Sequence, residues 1–211
     1  MLALVRTGIL GGTFDPIHIA HLHAGETALH AAGLDRVLFM PAGDPWQKSD
    51  DRRITPAKAR VEMTRLAIAG TPGFELDLRE VERQGPSYTI DTLLSFPDDE
   101  ELDLIVGSDA AAALSTWHRW EEVVARARIL VGPRPGHDIS VVTRAVPNAV
   151  SLDMAALDVS STLIRKMASD GRPYRFLVPA TVHEFIETEG IYTQSRSGDM
   201  VRSAQDQEEA Q

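Results

Sequence analysis

The chain has 211 residues, enough for one sizeable α/β domain and short for two. Hydrophobic residues make up 43% and charged residues 25%, as in ordinary globular proteins, and no apolar run is long enough to span a bilayer. A net charge of −10 without a basic cluster argues against a DNA or RNA partner, and the lack of cysteine removes disulfides, thiolate metal sites and cysteine nucleophiles. The opening MLALVRTGIL reads as a strand rather than a signal peptide, which predicts a cytoplasmic protein. A small phosphorylated ligand needs only a few local cations and stays open.

Leu4 to Leu10 is apolar enough for a buried strand and ends at Gly11-Gly12. The pattern predicts a helix from about His18 to Ala32, closed by Gly33. Arg36 to Met40 is a second buried strand, stopped by Pro41, and residues 42 to 53 are a polar loop. Thr55 as N-cap with Pro56 at the first helical position opens a helix to about Ala69. Phe74 to Glu80 alternates apolar and charged residues, as an outer strand does. The loop with Gly85, Pro86 and Ser87 leads to a short helix ending near Phe96.

Leu102 to Val106 is another buried strand, and Ala110 to Ala127 is rich in helix. Arg128 to Val131 is a strand broken by Gly132-Pro133. A turn-rich connection then reaches a strand near Val150 to Met154. Helices follow at about Ser160 to Ser169 and Pro179 to Glu189. From Ser195 the chain is polar and lacks aromatic residues, so residues 195–211 are expected to be a disordered tail behind one domain at 1–194. Deleting that tail should leave activity and melting temperature nearly unchanged; a large fall in melting temperature would show that it docks. Strands alternating with helices imply an α/β, doubly wound, mostly parallel sheet. The loops after Leu10, Met40, Val106 and Val131 should then line one cleft at the carboxyl ends of the strands.

The strongest chemical signal is GGTFDPIHIAH at residues 11–21. Gly11 and Gly12 allow a sharp turn and close approach to a phosphate. His18 and His21 are one helical turn apart near a helix N-terminus, where two imidazoles and the helix dipole can hold phosphate oxygens. A bare Gly-Gly turn with two surface histidines is the bland alternative, and the whole string between a strand and a helix disfavours it. A zinc site from His18, His21 and His23 is disfavoured, because His23 leaves the shared helical face and no acidic ligand is nearby in sequence. His23, His30, His118, His137 and His183 read as surface or core residues.

The string resembles the H-x-G-H signature of the adenylyltransferases related to class I tRNA synthetases, in the form of the nicotinate mononucleotide branch. Ala20 stands where that family usually has glycine. Four further stretches resemble the same family in order: PAGDPWQK at 41–48, PSYTIDTL at 86–93, GSDAAAALSTWHRW at 107–120 and VSSTLIR at 159–165. The likeness runs from the first strand to about Tyr192.

The resemblance implies a Rossmann-like nucleotidyltransferase fold. It also implies transfer of the adenylyl group of ATP to nicotinate mononucleotide, in NAD biosynthesis. His18, His21, Lys48 and Arg165 would act on the phosphates. Gly11, Gly12, Thr13, Phe14, Gly107, Asp109, Arg134, Ser160, Ser161 and Thr162 would complete the ATP site. Asp15, Ser87, Tyr88, Thr89 and Trp117 would hold the mononucleotide. Mg²⁺ would arrive with ATP and take few protein ligands, since it keeps its waters. A homo-oligomer is left open.

Physical readings stand beside the resemblance. The hydroxyls and N–H groups of Ser160, Ser161 and Thr162 at a helix start can hold anionic oxygens, with Arg165 one turn along. Asp109 could accept from ribose hydroxyls or cap a helix. Trp117 offers a face for a pyridine ring, whereas Trp120 suits the core. Arg134 either reaches a triphosphate or is a surface arginine. Phosphopantetheine adenylyl transfer, nicotinamide mononucleotide as substrate and a non-catalytic nucleotide-binding protein are the rival readings.

Overall fold

Long apolar runs become the centre of one sheet. The computed structural model describes residues 5–43, 54–85, 87–146 and 148–193. Its strands are β1 (Arg6–Gly12), β2 (Arg36–Pro41), β3 (Phe74–Leu76), β4 (Glu101–Gly107), β5 (Arg128–Gly132) and β6 (Ala149–Ser151). Every neighbouring pair is parallel, in the order β3-β2-β1-β4-β5-β6. Ile9 and Leu10, consecutive in β1, feed different apolar clusters on the two faces of the sheet. Burial on both faces explains why the inner strands lack polar alternation. The direction of winding reverses between β1 and β4, and a crevice opens beyond the carboxyl ends of those strands.

α1 (Ile19–Ala31) begins at His18, which is its N-cap. It ends as expected at Gly33, whose φ of +63° suits glycine. Leu34 N–H reaches the Leu29 carbonyl at 3.0 Å and closes the last turn. α2 (Ala57–Ile68) starts one residue later than the sequence suggests. Pro56 is its N-cap, with an extended ψ of 140°, and Thr55 lies outside. The Thr55 carbonyl is held from within by Arg60, which fixes the entry.

β3 is much shorter than the expected strand over 74–80. Asp77 bends back to accept from the Arg79 N–H at 2.9 Å and pairs with the Arg79 guanidinium, which lies 3.8 Å over the Phe96 ring. That local cap starts α3 (Arg79–Glu82) and turns Glu80 inward. α4 (Thr89–Leu93), α5 (Ser108–Ala112) and α6 (Trp120–Arg126) follow, with a 3₁₀ turn at Leu114–Thr116. α7 (Ile139–Ala145) replaces the expected turn-rich connection. Asp138 caps it by accepting from Ser140 N–H at 2.8 Å. β6 is accordingly short, and residues 152–154 lie beyond it. α8 (Ser161–Ser169) and α9 (Ala180–Thr188) match the expected helices within a residue.

Ile17, Phe39, Met63, Ile164 and Val182 pack one face of the sheet against α1, α2, α8 and α9. Ile90, Leu93, Leu114, Val123 and Val142 pack the other face, against α4 to α7. At the amino ends of the strands, buried Asp103 pairs with Arg128, and Glu100 pairs with Arg36 at 2.9 Å. Those pairs stand at the edge of the sheet opposite the crevice. Among the described residues no helix is long and apolar enough to cross a membrane. The tail at 195–211 lies outside the described residues.

Candidate active site

The two glycines that end β1 do different work. A Cβ on Gly12 would sit 2.8 Å from the Phe14 ring, so the fold itself requires glycine there. A Cβ on Gly11 would meet nothing within 4 Å, because Gly11 borders open space. Phe14 is 2% exposed and has a φ of +49°, a conformation that a bulky residue adopts only when its surroundings impose it. Its ring meets the edge of His21 at 5.1 Å.

His18 and His21 stack with ring centroids 3.7 Å apart. His21 Nδ1 accepts from the His18 backbone N–H at 3.2 Å, which leaves its Nε2 as the N–H position of the neutral ring. His18 is 1% exposed, and its Nδ1 is buried without a hydrogen-bond partner. Burial first, and then the positive charge of Arg134, lower its pKa to about 3.

That shift has a consequence for stability. Below the ordinary value of 6.5 the unfolded chain binds a proton on this imidazole and the folded chain does not. Stability is therefore lost as pH falls from 6.5 toward 3, at about 1.4 kcal/mol per pH unit. Urea unfolding of the parent and of His18→Ala checks this. Between pH 7 and pH 5 the parent should lose about 2 kcal/mol more than the variant. Parallel curves would show that His18 titrates normally in the fold.

α8 brings a set of polar groups to the same turn. Ser160 is its N-cap and accepts from Leu163 N–H at 3.2 Å. Ser161 Oγ donates to the Pro16 carbonyl at 2.9 Å, and Arg165 Nη1 donates to the Asp15 carbonyl at 2.7 Å. Arg165 Nη2 also donates to Thr162 Oγ1 at 2.9 Å. The N-terminal ends of α1 and α8 thus converge on one point. Arg134 faces them. Its guanidinium pairs with Asp109 at 3.2 Å and donates to the Val159 carbonyl at 3.3 Å, while its N–H donates to Ser108 Oγ at 2.9 Å.

The far end of the cleft is aromatic. Tyr88 is the N-cap of α4, and its ring lies 4.4 Å from that of His118, beside Trp117. Ser87 precedes the helix, and its Oγ accepts from Gly43 N–H at 3.2 Å, which braces the exit of β2. The Asp15 carboxylate, 1% exposed, accepts from the Tyr192 hydroxyl at 2.6 Å.

These groups line one cleft of about 680 Å³, within the usual size of a small-ligand site. Every expected site residue among the described ones lines it: Gly11 to Asp15, His18, His21, Ser87 to Thr89, Gly107, Asp109, Trp117, Arg134, Ser160 to Thr162 and Arg165. Lys48 lies outside the described residues. Sequence reasoning missed His118, read as surface or core, and the apolar wall of Met154 and Leu157. The adjacency of His118 to Trp117 was the available signal for the first. It also missed Glu80, whose buried carboxyl lines the cleft and accepts from Thr92 Oγ1 at 2.8 Å; burial raises its pKa.

The chain matches the cytidylyltransferase-like family model over residues 9–167. A protein of Acidothermus cellulolyticus named probable nicotinate-nucleotide adenylyltransferase is 39% identical over 202 residues, covering 92% of this chain and 97% of its own. A protein of the same name from Corynebacterium kroppenstedtii is 41% identical over 196 residues, covering 90% and 92%. Among solved structures, Plasmodium falciparum nicotinic acid mononucleotide adenylyltransferase complexed with NaAD superposes with a TM-score of 0.73 at 18% identity, over 89% of this chain and 97% of that one. The family model and these relatives agree: the chain belongs to the cytidylyltransferase-like family and, within it, to the nicotinate-nucleotide adenylyltransferases.

Proposed function

We propose that the protein joins ATP to nicotinate mononucleotide, giving nicotinate adenine dinucleotide and pyrophosphate. One observation carries the reading. The N-terminal ends of α1 and α8 meet at the glycine turn, and a wall of Tyr88, Trp117 and His118 stands in the same cleft. The first feature suits phosphates and the second suits a flat ring. A cytoplasmic setting fits an enzyme that consumes ATP.

An oxygen of the mononucleotide 5′-phosphate attacks the α-phosphorus of ATP. The new P–O bond forms as the bond to the β-phosphate oxygen breaks, and pyrophosphate leaves with that electron pair. The attacking phosphate is already ionised at neutral pH, so no protein base is needed. Catalysis then rests on positioning and on stabilising charge. His18 and His21 hold the α-phosphate oxygens. In the free protein His18 is neutral, and incoming phosphates oppose the effect of Arg134 and strengthen His18 as a donor. Arg165 and Arg134, with Lys48 from the segment after β2, hold the leaving pyrophosphate. Asp109 exchanges its pairing with Arg134 for the ribose hydroxyls. Asp15 acts through its carbonyl and its buried carboxylate, by shaping the turn next to the mononucleotide.

The cleft carboxylates fit a magnesium ion that enters with its substrate. Asp15 accepts from Tyr192, Glu80 accepts from Thr92, Asp109 pairs with Arg134, and no three-residue cluster of His, Asp or Glu suited to a metal stands among the described residues. The triphosphate and water would hold the ion. When bound, it neutralises charge on the phosphates.

Pyrophosphate release with nicotinate mononucleotide, nicotinamide mononucleotide and phosphopantetheine, each with ATP and Mg²⁺, tests the proposal. Release is expected with nicotinate mononucleotide. Release with phosphopantetheine alone, or with none of the three, would overturn it.

A further inference from the structure

Arg60 has no part in the chemistry described above, yet it is 1% exposed. A guanidinium stays charged when buried and so must find acceptors for its fork of donors. Arg60 Nε donates to the Thr55 carbonyl at 2.9 Å, Nη1 to the Thr13 carbonyl at 2.8 Å and Nη2 to the Gly43 carbonyl at 3.3 Å. These carbonyls belong to three separate segments: the turn after β1, the exit of β2 and the entry of α2. Burial lowers the pKa of Arg60, and the negative charge of Asp15 and the nearby Tyr192 oppose that effect.

Both ends of the cleft touch this arrangement. Thr13 precedes Phe14, whose φ of +49° must be imposed from outside. Gly43 donates to Ser87 on the aromatic side, and its backbone lies so close to the Glu80 carbonyl that an added Cβ would clash at 2.2 Å. A planar fork can serve three carbonyls in fixed directions, which a lysine ammonium on a flexible stem cannot.

We propose that Arg60 is a positioning residue for adenylyl transfer, locking the Thr13 and Gly43 carbonyls to α2 so that the glycine turn and His18 stand in register with the reacting phosphate. The inference rests on the proposed function. It separates a catalytic requirement from simple support of the fold, because the groups that Arg60 holds are those that border the cleft.

The test compares Arg60→Lys and Arg60→Ala with Met63→Ala. Met63 is fully buried in the apolar core on the same helix, so its truncation reports destabilisation alone. Each protein is assayed well below its melting temperature, per folded molecule. Arg60→Lys should lose about 100-fold in kcat, the scale expected for a misplacement of about 1 Å, with KM for both substrates little changed. Met63→Ala should keep its kcat. Guanidinium ion at non-denaturing concentration should restore part of the kcat of Arg60→Ala, and methylammonium should not. The proposal is overturned if folded Arg60→Lys turns over like the parent, if it fails to fold, or if Met63→Ala loses as much. The parent, assayed alongside, separates the two claims: a parent without pyrophosphate release refutes the function itself.

Discussion

Replacing His18 by alanine is expected to lower kcat by about 100- to 1,000-fold in a protein that remains folded. The magnitude is that of removing one preorganised donor from a site where charge develops, about 3 to 4 kcal/mol. The geometry favours so large an effect. His18 is almost fully buried, at the N-terminal end of α1, and stacked on His21 at 3.7 Å. Water therefore cannot replace the lost donor cheaply. Folding should survive, because the Nδ1 of His18 makes no hydrogen bond to lose. Its α1 partner interaction runs through its backbone N–H, which the alanine keeps. Pyrophosphate release, read beside circular dichroism and a thermal melt, checks the prediction. A folded variant with parental kcat would remove His18 from the reaction.

The second large effect concerns the substrate ring. Nicotinate mononucleotide should be preferred over nicotinamide mononucleotide in kcat/KM, by up to about 10⁴-fold. The sequence places Ser87, Tyr88 and Thr89 in the first turn of a helix. In the structure that turn starts later, at Thr89, and the Ser87 oxygen already accepts from Gly43. The Asp91 N–H already donates to the Tyr88 carbonyl at 3.1 Å, so the N–H groups of Thr89 and Ile90 are the orphan donors of α4. A five-residue helix carries little dipole, so those donors must distinguish the rings through hydrogen bonding. A carboxylate accepts from two of them. A carboxamide presents one acceptor and an NH₂ that faces a donor, which leaves a buried group unsatisfied. Tyr88, Trp117 and His118 would meet either ring alike and should set affinity rather than choice. Equal kcat/KM values at fixed ATP and Mg²⁺, or a preference for the amide, would mean that this turn does not read the carboxylate.

The inner strands were legible because burial on both faces leaves an unbroken apolar run, and β1, β2, β4 and β5 emerge where those runs lie. The cleft was legible because its parts sit in short strings around strand ends, from Gly11 to His21 and from Ser160 to Arg165. Elements decided by side-chain traffic were not. ISVVTRA is rich in β-branched residues and suggests no helix, yet a single Asp138 cap establishes α7. Glu80 looks like a solvent-facing strand residue until Asp77 and Arg79 close a turn beneath it. Arg60 in AKAR resembles any exposed helical arginine. Its burial depends on Thr13 and Gly43, which no local pattern brings near α2.

The ties that complete the glycine turn join residues 145, 150 and 177 positions apart: Ser161 to Pro16, Arg165 to Asp15 and Tyr192 to Asp15. At a translation rate of about 5–20 residues per second, those separations put roughly 7 to 35 seconds between the turn and its partners. The turn leaves the ribosome ahead of all three partners and waits for them. A nascent chain that has just released β6 can already pair its whole sheet, but the glycine turn still lacks all three of those ties. Competence to bind nucleotide is therefore gained late, with α8 and Tyr192, and an unfinished chain should neither sequester ATP nor be rescued by it.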